Sequence, residues 1–117
     1  MALHLVASCG ADTYVRKGDK AFALGEYYVA AENYRKAYSK TPASQRDTRG
    51  ERALKMGQSY SRFNSSLKAL AGYRNAARYG KATAEDSLQL GRLLLKSGEY
   101  KAAEAVFTDL TQSLPDN

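Results

Sequence analysis

Small and aromatic residues recur along the chain in three matching series, each set among polar and charged positions. The first series is Tyr14, Gly18, Gly25, Tyr27, Ala30, Tyr34, Ala37 and Pro42. The second is Ala53, Gly57, Tyr60, Asn64, Ala69, Tyr73 and Ala76, and the third is Gly91, Leu94, Gly98, Tyr100, Ala103, Phe107, Leu110 and Pro115. Gly57 and Gly91 stand 34 residues apart, whereas Gly18 and Gly57 stand 39 apart, so the first junction carries five additional residues. A fixed period of this size is the mark of a stacked repeat. The pattern predicts an all-α chain with helices near residues 12–24, 27–40, 45–62, 65–79, 84–97 and 100–113, paired into three hairpins.

Each recurring residue type has a physical reason. Gly18, Gly57 and Gly91 fall in the middle of the first helix of each hairpin, where glycine costs about 1 kcal/mol against alanine, so close packing is expected there. Ala30, Ala69 and Ala103, near the start of the second helices, match them. Gly25, Asn64 and Gly98 fall at the turns, where a left-handed residue ends the first helix. Tyr34, Tyr73 and Phe107 are expected to fill space between neighbouring hairpins, and Pro42 and Pro115 to stop second helices. Ser44-Gln45-Arg46-Asp47 and Thr83-Ala84-Glu85-Asp86 read as N-caps with an acidic residue three places on, and Ser65-Ser66 as a capping turn.

With these residues in place, the chain resembles the tetratricopeptide repeat family over about residues 12–117. Repeats one (about 12–43) and three (82–117) match well. Repeat two (44–81) departs from the pattern at Asn64, Ser66 and Lys81. The resemblance implies a superhelix of three helix-turn-helix repeats whose first helices line a concave wall. By that register the inward residues include Asp12, Val15, Asp19, Phe22 and Ala23, then Glu51, Leu54, Gln58, Ser61 and Arg62, then Glu85, Leu88, Arg92, Leu95 and Lys96. Val15, Asp19, Phe22, Leu54, Gln58, Arg62, Leu88, Arg92, Leu95 and Lys96 are the candidate partner-binding groove. An apolar strip with basic groups at one end suits an extended or helical segment carrying acidic residues. Some family members grip a C-terminal carboxylate with lysines and asparagines. Val15, Asp19, Leu54, Gln58 and Leu88 stand at those places here, and valine, leucine and aspartate supply no such donors.

Composition narrows the chemistry further. One cysteine, Cys9, and one histidine, His4, exclude an internal disulfide framework and leave almost nothing from which to build a metal or histidine-based catalytic site. The serines read as caps, the glycines as hairpin landmarks and the carboxylates as scattered solvated groups, so no enzyme signature and no cofactor site is read. The net charge of +6 comes from 18 basic and 12 acidic residues. It is densest from Arg35 to Lys55, yet lacks the interleaved stacking pattern of a nucleic-acid surface. A soluble adaptor whose basic face meets an acidic protein or nucleic acid is the alternative reading.

Two end segments complete the picture. Leu5-Val6-Ala7-Ser8-Cys9-Gly10 resembles a bacterial lipobox, which makes residues 1–11 a residual leader or tail and Cys9 a lipidation site. The segments Leu24-Gly25-Glu26-Tyr27-Tyr28, Tyr34-Arg35-Lys36-Ala37-Tyr38-Ser39-Lys40-Thr41 and Lys55-Met56-Gly57-Gln58-Ser59-Tyr60 are similar to the N-terminal repeat domain of Bacteroidetes outer-membrane lipoproteins of the type IX secretion system, a family that carries an OmpA-type peptidoglycan-binding domain further on. That resemblance implies a periplasm-facing, outer-membrane-anchored scaffold that binds another secretion-complex subunit and touches the membrane only through the lipid. The last helix has no polar cap after it and is expected to expose Ala102, Val106 and Leu110, which suggests a continuation or a dimer through that end.

Overall fold

A computed structural model describes the backbone of residues 2–113 and the side chains of residues 10–113. Six helices follow one another: α1 (Ala2–Ala23), α2 (Tyr27–Lys40), α3 (Arg46–Arg62), α4 (Ser66–Arg78), α5 (Ala84–Lys96) and α6 (Tyr100–Ser113). Each packs mainly on its sequence neighbours, giving the hairpins α1/α2, α3/α4 and α5/α6, with α2 against α3 and α4 against α5 joining them. This is the all-α stack of three helix-turn-helix units that the periodicity predicts. Bounds agree with expectation to within a residue or so, except at the start of α1. That helix begins at Ala2 rather than near residue 12, since nothing before Gly10 breaks a helix and Gly10 alone does not stop one. Cys9 lies within its backbone span, but the Cys9 side chain is outside the described residues, as is Pro115.

The three turns share one device. Gly25, Asn64 and Gly98 take φ of +77°, +65° and +82°. The following N–H groups of Glu26, Ser65 and Glu99 each donate to the carbonyl five residues back, on Ala21, Tyr60 and Leu94, at 2.9 Å. These 6→1 bonds close the first helix of each hairpin. Asparagine replaces glycine in the second turn because its short polar side chain tolerates the left-handed region. Gly80, at +73°, repeats the device after α4, with Lys81 N–H donating to Ala76 O at 2.9 Å.

The expected serine caps do not form. Gln45 and Ser65 hold the N-cap positions of α3 and α4 with ψ of 67° and 77° and no side-chain cap bond. Thr83, the N-cap of α5, is extended, with ψ of 174°, and there a full capping box appears. Its Oγ1 accepts from Asp86 N–H at 3.2 Å, while its own N–H donates to Asp86 Oδ2 at 2.9 Å. The difference is geometric: a cap oxygen reaches the N3 amide when the cap residue is extended.

Small residues let the helices close up. The core is rich in fully buried alanines, among them Ala30, Ala53, Ala69 and Ala103, with Tyr34, Tyr60, Tyr73, Leu90 and Leu94 between them. A Cβ on Gly18 would lie 2.6 Å from the Tyr34 ring, and one on Gly91 2.5 Å from the Phe107 ring. These rings therefore wedge against the glycine of their own hairpin. The middle hairpin closes tighter still, backbone to backbone. A Cβ on Gly57 would meet Tyr73 N at 2.9 Å and Ala69 O at 3.2 Å, and one on Gly72 would meet Gly57 Cα at 2.5 Å.

Candidate protein-binding groove

Stacking sets α1, α3 and α5 side by side, and their shared surface forms a groove of about 570 Å3. Its floor and walls include Phe22 of α1, Leu54, Gln58, Ser61 and Arg62 of α3, Tyr73 of α4, and Glu85, Leu88 and Arg92 of α5. Six of the sequence-derived candidates meet there: Phe22, Leu54, Gln58, Arg62, Leu88 and Arg92. A smaller hollow of about 230 Å3 adjoins through Phe22 and Gln58 and contains Asp19. Asp19 is already engaged, accepting from the Tyr34 hydroxyl and from Lys55 Nζ at 3.2 Å. Val15 is half-buried against the core rather than open to the groove.

Leu95 and Lys96 are not in the groove. Arg92 is the last α5 residue lining it, and both lie about a turn further along the helix. Leu95 turns toward α6, into a hollow with Tyr100 and Phe107. Lys96 turns back toward α4, where Nζ donates to Ser66 Oγ at 2.9 Å.

The two guanidinium groups that remain differ in how they are held. Arg62 lies over Phe22 at 5.8 Å and over Tyr27 at 5.4 Å from the ring centroids, so its planar fork is oriented before any ligand arrives. Arg92 is exposed and makes no ion pair among the described residues. Polar groups between them are satisfied within the fold. Gln58 Nε2 donates to Asp86 Oδ1 and Gln89 Nε2 to Ser61 Oγ, both at 3.2 Å. Burial pushes the Tyr73 hydroxyl up from its ordinary value, with the Asp86 charge adding to it, so this ring stays neutral and part of the floor. The arrangement offers an apolar surface with two charged forks, a geometry suited to carboxylates. Sequence reasoning gave Tyr73 a space-filling role and Asp86 a capping role; neither was assigned to the groove, because both reach it from outside the inward stripe.

The basic stretch from Arg35 to Lys55 is mostly consumed internally. Arg35 pairs with Glu32 at 3.2 Å, Arg52 with Asp12 at 2.7 Å, and Lys55 with Asp19. Arg46 lies 5.1 Å over the Tyr79 ring and Arg49 4.4 Å over Tyr38. The contacts of Arg52, Lys55 and Arg49 bind the first two hairpins together, while Arg35 is held within α2 and Arg46 within its own hairpin. On the outer side, Tyr60 donates to Glu32, and that bond, with Arg35 beside it, lowers the Glu32 carboxyl below its usual range.

Among the described residues no cluster of three or more histidine, cysteine or carboxylate side chains is placed to hold a metal ion. No described helix is long and apolar enough to cross a membrane. At the terminal hairpin, Ala102 is exposed as expected, but Val106 packs against the core and Leu110 is half-buried. Compared with known proteins, the chain matches no protein-family model and no curated protein.

Proposed function

We infer that this chain is a non-catalytic protein-interaction scaffold of tetratricopeptide type whose inner groove holds a segment of another protein. The observation that carries this reading is the pairing of Arg62, set in place by two aromatic rings, with the unpaired Arg92 across an apolar floor of Phe22, Leu54 and Leu88. A segment with apolar residues and at least one carboxylate fits that surface. The engagement of Arg35, Arg52, Lys55, Arg46 and Arg49 within the fold favours this reading over a basic face for nucleic acid. In the cell we assign it to the periplasmic side of the outer membrane, anchored by a lipid on Cys9. The resemblance to PorE-like lipoproteins of the type IX secretion system supports that placement and makes another secretion subunit the partner.

Crosslinking in the native envelope, followed by identification of the captured protein, tests the assignment, and a double substitution tests the site. Arg62→Ala with Arg92→Ala is expected to weaken binding of the captured partner at least tenfold. Both side chains are exposed, so stability should change by less than about 0.5 kcal/mol apart from the lost stacking on Phe22 and Tyr27. Unchanged affinity in the double variant would remove the groove as the binding site.

A further inference from the structure

The three hairpins are equivalent in register but not in what covers them. Aligning Gly18 with Gly91 sets Asp12 against Glu85, Val15 against Leu88, Phe22 against Leu95, Tyr27 against Tyr100 and Tyr34 against Phe107. On hairpin one these residues are roofed by α3. Arg52 pairs with Asp12 at 2.7 Å, Lys55 lies 5.5 Å over Tyr34, and Arg62 lies over Phe22 and Tyr27. Their equivalents on hairpin three are open. Leu88 is 37% exposed, Leu95 46% and Tyr100 68%, and they line two hollows of about 650 and 400 Å3 on either side of Phe107.

We propose that the open α5/α6 seat receives a basic amphipathic helix of a partner protein, lying as α3 lies on hairpin one. The occupant is read from the interface that the fold already repeats. The charged side chains lining the seat are Glu85 and Glu104, both carboxylates, where hairpin one offers Asp12 to Arg52. Tyr100 stands where Tyr27 receives Arg62. The roofing helix therefore needs arginine or lysine toward Glu85 and Tyr100, and apolar residues like Met56 and Tyr60 beside them. Both of these are at most 5% exposed in α3.

A second copy fits less well. The end face it would bring is α1, with Lys17 at the place of Met56 and Ala21 at the place of Tyr60. Lys17 lies 5.5 Å from the Tyr14 ring, which Lys36 and Lys40 also crowd, so that end of the stack is closed by charge.

A stapled, fluorescently labelled peptide with the sequence of residues 45–63 serves as the probe, titrated with the 117-residue chain. Saturable binding is expected, weakening as salt is raised and at least tenfold weaker to the Leu95→Lys and Tyr100→Lys variants. Both sites are exposed, and circular dichroism checks that each variant keeps its helicity and melting point. Arg62→Ala is expected to bind the peptide as the parent does, which separates this seat from the groove. No binding, or binding indifferent to both substitutions, overturns the proposal. So does a dimer in sedimentation that Leu95→Lys dissolves, because the occupant is then a second copy.

Discussion

Gly72→Ala is the sharpest test of how tightly the middle hairpin is closed. Taken alone in a helix, the change should stabilise by about 1 kcal/mol, the ordinary advantage of alanine over glycine. Here the added methyl would sit 2.5 Å from both Gly57 Cα and Gly57 N, and 2.9 Å from Ala53 O. All three neighbours are backbone atoms, so no side chain can rotate away. Relief to an ordinary contact near 3.5 Å requires α3 and α4 to separate by roughly 1 Å. That separation loosens Ala53, Ala69 and Tyr73 together, all of them buried. Overpacking of this kind costs about 1–3 kcal/mol, and the backbone-only contact puts it near the upper end. Net of the helix gain, the variant should lose about 2 kcal/mol, a fall in melting temperature of roughly 8 °C for a domain of this size. Urea and thermal unfolding followed by circular dichroism at 222 nm measure it, with Ala77→Gly on the exposed side of α4 as the propensity control. A Gly72→Ala protein as stable as the parent, or more stable, would show that the two backbones do not meet there.

Two further outcomes follow from the caps and the buried rings. Thr83→Ala removes the capping box of α5 and should cost about 1 kcal/mol in urea titration. Ser65→Ala, at an N-cap that makes no side-chain bond, should cost markedly less. The alkaline limb of stability should come from Tyr34 and Tyr60. Burial, then bonds to Asp19 and Glu32, raise both hydroxyls well above their ordinary value. The unfolded chain therefore releases these protons first, so stability is intact below about pH 10 and falls as pH climbs beyond it. Unfolding midpoints taken from pH 8 to 11 check this, and Tyr60→Phe should blunt the fall.

Much of the fold could be read from spacing because the recurring residues are the ones that geometry restricts most. A left-handed turn accepts Gly25, Asn64 or Gly98 and little else, Gly57 lies where two backbones nearly touch, and Gly18 and Gly91 lie where a ring presses on the helix. The helix ends follow from those points. Features that depend on a partner across the fold were harder to see. Gly72 belongs to no repeated position, since its counterparts are Asn33 and Val106, and its role exists only because Gly57 lies opposite. Ser44 and Ser65 have cap chemistry, but their caps depend on backbone angles that side-chain identity does not reveal. The family register put Leu88 and Arg92 on the inner wall, and both line the groove. It put Leu95 and Lys96 there too, but the structure turns Leu95 toward α6 and Lys96 toward α4, because a residue at the end of α5 is claimed by whichever neighbouring helix lies nearest. The family resemblance supplied the inner wall.

The chain has no tryptophan and nine tyrosines. Tyr34 belongs to the first unit, and Tyr60 and Tyr73 to the second, each nearly sealed from solvent. Near-ultraviolet absorbance is therefore a local strain gauge already built into the stack. Replacing these rings one at a time with phenylalanine would turn a single melting curve into an ordered record of which unit peels away first.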